Sequence, residues 1–447
     1  MKYRMIVLAL LLSGAQLSWA ATIIVTSDSG GHNVMDACVL RDAITQVNTG
    51  VPTGGCGGIA NSPDPATTAQ PDCVCAANTI LLPQGRQIML SEVDDATSNT
   101  GLPTVTASLE IDGNNTAIYR DPGVPCNHDG VNDPGEFALI ASSSPLLILD
   151  HVYLLNGCAD SADYQFAKGG AITNYGTLVL RHSALLNNWA SNRGGGLYTS
   201  GFGAGAGSNM ISDSNIINNG SNSGGGIFIE GSSAQVTIVR SLFESNSASQ
   251  YFGGGAIEAT FSTTMAIVNS TFAMNTAGSG AAIDANGIVA ISSSTIAENV
   301  AGSGGAFQIS ASGTGQLATI KNSLFAANSG PAGNCAFASG SVTLAGNNLS
   351  TDASCTGFGL ANAPAALLPL LANGGPTRTY ALQPASAAVD AATDCTDSNG
   401  FSVDIDARGS ARPIAIRDPA EPRCDIGAYE LGVSIFSDGF EQSGINN

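Results

Sequence analysis

Between Gly169 and Asn328 one unit recurs six times. A glycine-rich step leads into a short apolar run, a second run follows, and the unit closes on Ser-x-(large apolar)-x-x-Asn. The closing pieces are Ser183-Ala-Leu185-Leu-Asn-Asn188, Ser214-Asn-Ile216-Ile-Asn-Asn219, Ser241-Leu-Phe243-Glu-Ser-Asn246, Ser270-Thr-Phe272-Ala-Met-Asn275, Ser294-Thr-Ile296-Ala-Glu-Asn299 and Ser323-Leu-Phe325-Ala-Ala-Asn328. Successive serines stand 31, 27, 29, 24 and 29 residues apart. A period in that range marks a solenoid, in which each unit covers the apolar face of the last.

Helical repeats would need apolar residues at i, i+3 and i+4 over stretches free of glycine. Here the runs are short and β-branched, as in Val236-Thr-Ile-Val239, and Gly, Ser and Asn punctuate them, so they read as strands joined by turns. Coils stacked at about 4.8 Å would pile equivalent residues above one another. Leu185, Ile216, Phe243, Phe272, Ile296 and Phe325 form one expected inward stack, and Ile172, Tyr198, Phe228, Ile257, Ile283 and Phe307, just after the glycine step, form a second. The closing asparagines are expected to make an amide ladder at a turn, with Asn itself taking the left-handed conformation. The fold expected is all-β: a right-handed parallel β-helix with a short N-terminal capping helix and a disulfide-stabilised C-terminal cap.

Gly-Gly-Ala-Ile at 169 to 172 and the recurring Phe-x-x-Asn resemble the repeats of chlamydial polymorphic outer-membrane proteins, which also occur in secreted bacterial β-helix proteins. Cys38-Val-Leu-Arg41-Asp42-Ala resembles the Cys-Ser-Leu-Arg-Glu-Ala motif near the start of many exported β-helix proteins, with Val39 for Ser and Asp42 for Glu. Leu40, Ile44 and Val47 share a helical face, so a short helix is expected there over the open first coil. After the repeats, Leu370 to Leu382, Ala387-Ala-Val-Asp390, Asp406-Ala-Arg408-Gly-Ser-Ala-Arg412-Pro413 and Cys424-Asp-Ile-Gly-Ala-Tyr-Glu430 follow in the order of the choice-of-anchor Q module, which closes many exported β-helices. Asp390, Asp406, Asp425, Arg408 and Arg412 read as a buried ion-pair set holding that module together.

The division expected is a leader at 1–20, an N-terminal cap and loop at 21–78, the β-helix at 79–350, the anchor-like module at 351–432 and a tail at 433–447. Lys2 and Arg4 precede an apolar run and Ser18-Trp19-Ala20 is a small-x-small cleavage site, the marks of a secretory signal. No later run is long enough for a membrane helix. With 15 Lys and Arg against 35 Asp and Glu, the net charge of −20 disfavours nucleic acid as a partner.

Ten cysteines in an exported chain favour disulfides. The pairs expected are Cys126–Cys158, Cys335–Cys355 and Cys395–Cys424, with Cys38, Cys56, Cys73 and Cys75 paired among themselves in an order left open. His32, His128, His151 and His182 are scattered along the chain without metal spacing.

Aligning the glycine steps puts Glu258, Asp284 and Gln308 in one outward column, where adjacent carboxyls could serve as acid and base on a polysaccharide. The same column, with Thr173, Thr199 and Ile229, also reads as a solvated strand face. Of the motifs in pectin-degrading β-helices only Asp94-Asp95 is matched, and aromatics are scarce, with Trp189 the only tryptophan after the leader and Tyr251 and Phe252 in a loop. Asp129, Asn132, Asp133 and Glu136, in the insertion 121–136, could hold Ca²⁺ or form a solvated acidic loop, and no other cofactor is expected. The expectation is an exported, non-catalytic surface or extracellular protein for adhesion, display or glycan binding. The alternative is a polysaccharide lyase or glycoside hydrolase using Glu258 and Asp284.

Overall fold

The computed structural model describes residues 21–30, 37–51, 53–56, 78–201, 208–260, 262–310, 318–338, 342–418 and 420–432. The leader, His32, Cys73, Cys75 and the tail lie outside them. The chain winds as a parallel β-solenoid. A coil consists of four strands, for example Ile227–Glu230, Gln235–Val239, Leu242–Glu244 and Ser247–Ala248, and the next coil begins at Ile257–Ala259. The strands of the coils pair in parallel with their counterparts one coil on, so Phe243 faces Phe272 and Ile267 faces Ile291 in register, while Leu367–Leu371 and Thr379–Leu382 beyond the coils form an antiparallel pair. One wall stacks eight strands from Ile140–Ser142 to Cys335–Phe337, and the shortest stacks six from Cys158–Ala159 to Val300–Ala301.

The first expected stack is in file. Leu154, Leu185, Ile216, Phe243, Phe272, Ile296 and Phe325 are successive partners, and the Phe243 and Phe272 rings lie 4.8 Å apart at 8°. The second is corrected. The inward column is Ile140, Ile172, Leu197, Ile227, Ile257, Ile283 and Phe307, while Tyr198 and Phe228 belong to the outward neighbour column. The slip has a simple cause. In the coils starting at Gly194 and Gly224 a third glycine stands where Ala256 and Ala282 precede the inward residue. Counting from the last glycine of the step therefore moves two coils by one position, and one position exchanges the faces of a strand.

Two polar ladders hold the turns. Each closing Asn donates from its amide to the next Asn carbonyl at 2.8–3.0 Å from Asn188 to Asn334, and its backbone N–H reaches the same oxygen. The closing serines form the second ladder one corner earlier through backbone donors, Ser183 N–H to Ser214 Oγ through Ser294 N–H to Ser323 Oγ, while each hydroxyl donates to the carbonyl two residues before it. The left-handed residue is not the ladder asparagine but the one before it: Asn187, Asn218, Ser245, Met274, Glu298 and Ala327 have φ of 52–60°. The side chain of a ladder residue must point inward to meet its copies, so the bend is made by its neighbour. Only the third corner requires glycine. At Gly169, Gly194 and Gly224, φ is 58–65° and an added Cβ would lie 2.2–2.5 Å from the carbonyl oxygen three residues on.

Helix α1, Leu40–Thr49, closes the first coils, with Leu40, Ala43 and Ile44 in the main core and Val47 packed against it. Arg41, 1% exposed, pairs with Glu92 and Asp94 at 3.4 and 3.7 Å and donates to the Glu92 carbonyl. Disulfides join Cys38–Cys56, Cys126–Cys158, Cys335–Cys355 and Cys395–Cys424. Such bonds belong to a protein that folds in an oxidising compartment. At the far end Phe358 packs edge-on against Phe325. Beyond it the chain turns back along the side of the solenoid. Tyr380, Leu382, Val389 and Ile426 cover a second apolar cluster made by the outward residues Leu242, Ala273, Ala297 and Leu324. The contacts run from Asn215 to Lys321, so this segment braces several coils as well as closing the last. No helix among the described residues is long and apolar enough to cross a membrane.

Candidate functional site

The outward column of the eight-stranded wall carries the chemistry. In register it reads Thr173, Tyr198, Phe228, Glu258, Asp284 and Gln308, so the structure brings the expected acidic pair onto adjacent coils and sets two aromatics before it instead of Thr199 and Ile229. Glu258 bonds to Ser223 Oγ, and Asp284 accepts from Ser279 Oγ at 2.6 Å. Burial pushes the Glu258 carboxyl up to about 7, with Asp284 adding to the rise while Ser223 and Arg193 oppose it. Burial also raises Asp284, against the pull of Ser279. Asp284 is 7% exposed, and the backbone at Gly253 sits so close that a Cβ there would meet its carboxylate at 2.2 Å. The turn ahead of Gly253 exposes Tyr251 and Phe252.

The other half of the wall was not foreseen. Lys168 and Arg193, bridged across adjacent coils, form with Tyr164, Tyr198 and Phe228 an alternating array of cations and rings. Lys168 Nζ is 4.0 Å from the Tyr164 ring centre and 4.7 Å from that of Tyr198, and the Arg193 guanidinium is 4.6 Å from Phe228. Glu230 ties the array together, accepting from Arg193 and from the Tyr198 hydroxyl at 2.5 Å each. Beside it opens a cleft of about 350 Å³ lined by Thr97, Ser98, Gln165, Phe166, Lys168, Thr173 and Tyr175. Tyr164 and Tyr175 are 41% and 40% exposed. Burial lowers the Lys168 ammonium from its usual value, against Glu230. Aromatics are scarce in the chain but concentrated here. The signal available in the sequence was the spacing of Tyr175, Tyr198 and Phe228 at near one repeat.

The acids of the insertion do not converge. Glu136, 1% exposed, accepts from the backbone N–H groups of Asn127 and Asp133, Asp133 accepts from the Asn127 amide, and Asp129 caps Val131 N–H. Each carboxylate thus holds the loop's own shape, with Arg120 reaching the carbonyls of Val124 and Gly135. Asp95 likewise serves a turn, accepting from Thr104 Oγ1 at 2.5 Å and Thr97 N–H.

In the C-terminal segment Arg408 pairs with buried Asp406 at 2.6 Å and lies 3.7 Å from the Tyr429 ring. Arg412 reaches Glu430 at 3.6 Å, a member that sequence reasoning did not include. Asp390 and Asp425 bond mainly to backbone N–H groups. Burial raises Asp425 to about 6. These groups face one another inside the module and offer no surface to a ligand. His151 and His182, apart in sequence, stack at 4.7 Å beside Asp150.

No protein-family profile matches the chain, and no curated protein is similar to it. Among solved structures, the crystal structure of pectate lyase Pel9A is similar over 92% of this chain and 98% of that one, at 12% identity and a TM-score of 0.48. That is a likeness of the solenoid and carries nothing about chemistry.

The raised carboxyls give the wall a pH dependence. A group raised in the folded state contributes stability that is complete below its unfolded pKa and is lost as pH rises through its folded one. For Glu258 the loss is spread over the interval from the ordinary carboxylate range up to about 7, and it is complete above that. Unfolding followed from about pH 5 to about pH 8 is expected to show stability falling, by roughly 2 kcal/mol from this residue. Glu258→Gln, which stays neutral, should flatten that part of the slope and leave the part due to Asp425. An unchanged slope would refute the assignment.

Proposed function

We propose that this chain is an exported glycan-binding β-solenoid that seats an acidic polysaccharide against the outward wall at the cleft lined by Lys168 and Tyr175, beside exposed Tyr164. The observation that carries it is the array of two cations and three rings beside an open cleft, in a chain with only 15 Lys and Arg. Exposed tyrosine faces match the apolar faces of pyranose rings, and the Lys168 ammonium is a partner for a sugar carboxylate. A leader at 1–20 would route the chain out of the cell, and the module at 351–432 would precede an anchor, placing the wall at an extracellular or outer-membrane surface for adhesion or display.

Binding to immobilised uronate-containing and neutral polysaccharides tests this. Wild type is expected to retain the acidic polymers. Tyr164→Ala and Tyr175→Ala, at exposed positions that leave the core intact, are expected to weaken binding roughly tenfold each. Equal binding by both variants, or no retention by wild type, would sink the proposal.

A catalytic reading has one observation in its favour, the Glu258 carboxyl lifted to about 7 beside Asp284. A group poised there could donate a proton to a leaving oxygen. Against it, both carboxyls are committed to serines and Asp284 is buried beneath the turn at Gly253. Release of oligosaccharide by wild type, abolished in Glu258→Gln with binding retained, would establish turnover.

A further inference from the structure

We infer that Asp150, His151 and His182 form a binding site for a late first-row divalent cation such as Zn²⁺, fastening two successive coils at one corner of the solenoid. His151 and His182 are 31 residues apart, the spacing of Ser183 and Ser214, so stacking places one imidazole over the other. The strands leading into them pair in register, with Asp150 opposite Arg181, one residue before the histidines. The rings are nearly parallel, 18° apart with centres 4.7 Å from one another. Both turn the same edge to the same atom: His151 Nδ1 lies 2.8 Å and His182 Nδ1 3.1 Å from Asp150 Oδ1. All three donor atoms fall within 4.8 Å of one another.

Two imidazole nitrogens and a carboxylate oxygen are the donor set preferred by Zn²⁺. Bonds of about 2.0–2.1 Å to a tetrahedral ion would spread these donors only slightly. The side chains of His151 and His182 are 42% and 44% exposed, so an ion can enter and keep water in its remaining position. The carboxylate is also aimed. Arg181 Nε holds Asp150 Oδ2 at 2.8 Å, leaving Oδ1 to the histidines, and the same guanidinium is bonded to Glu110 at 2.8 Å. Such outer contacts orient metal ligands, and the Glu110 charge offsets that of Arg181. Both histidines occupy the left-handed corner, at φ of 52° and 48°, a position filled by Asn269 and Asn322 in later coils. Asp213, Arg240 and Ser293 fill it in other coils, at φ of 46–50°, so the corner itself did not call for imidazole.

The test uses the purified, chelator-stripped full chain titrated calorimetrically with ZnCl₂, with CoCl₂ as an optical probe. Wild type is expected to take up one Zn²⁺ saturably, to unfold at higher temperature in its presence, and to give the visible bands of Co²⁺ bound to nitrogen. His151→Asn and His182→Asn keep a corner-compatible residue and should each weaken binding at least about tenfold. The double variant should lose the Co²⁺ bands and the thermal shift, while His128→Asn should retain both. Wild type without saturable uptake, or a double variant binding like wild type, would overturn the site.

Discussion

Asn246→Ala is expected to cost the fold about 3–5 kcal/mol. The side chain is fully buried in the middle of the ladder. Its carbonyl accepts the Asn219 backbone N–H and the Asn219 amide, each at 3.0 Å, and its own amide donates to Asn275 at 3.0 Å and to the Ile216 carbonyl at 2.8 Å. Alanine would leave two buried donors and two buried acceptors each short of a partner. Each such loss costs about 1–3 kcal/mol, partly relieved by local shifts. Asn246→Asp separates this from a simple loss of packing. The carboxylate can still accept from Asn219, but it can no longer donate to Asn275 and sets two oxygens against each other. It should therefore be destabilising despite its near-identical size. Ser245→Gly, one residue earlier at φ of 54°, should be neutral or stabilising, because the strained conformation lies there. Chemical denaturation of the three variants measures all of this. If Asn246→Ala lost less than about 1 kcal/mol, the ladder would be a by-product of stacking.

Phe272→Ala is expected to cost a similar amount, about 3–5 kcal/mol. Phe272 is fully buried, its ring stacked on Phe243 and its backbone in register with Phe243 and Ile296. In a globular core, neighbouring helices can lean in to fill a deletion. Here the backbone on both sides is fixed by continuous hydrogen-bonded ladders, so the hole between Phe243 and Ile296 stays open and the cost sits at the upper end. Phe272→Leu retains most of the volume and should cost clearly less. Equal losses for the two variants would mean that shape, not lost volume, governs this column.

The column tested by these variants was readable because the closing pieces have constant length. Serine, large apolar residue and asparagine keep their offsets in every unit, so aligning one aligns the others. The glycine step varies in length, and there the reading failed by one position at Leu197 and Ile227. That small slip hid the array around Lys168 and Arg193, since it moved Tyr198 and Phe228 from the outer wall into the core. The acidic pair survived it because Glu258 and Asp284 both follow the same Gly-x-Ala-Ile or Gly-Ala-Ala-Ile step. His151 and His182 were passed over because metal spacing is usually sought within one strand or helix, whereas in a solenoid the relevant interval is the repeat itself.

The amino-acid sequence determined what a coil is: where it bends, which residues point inward, and which polar side chains repeat closely enough to form ladders. It could do so because each of these depends on neighbours in the chain and on a copy one period away. Only the tertiary structure decided that residues beyond 362 fold back over Leu242, Ala273, Ala297 and Leu324, and that the turn at Thr97 and Ser98 walls the cleft beside Lys168. Those placements join segments with no shared period, so no interval in the sequence encodes them. They follow from apolar and polar surfaces that come to exist only once the coils have stacked.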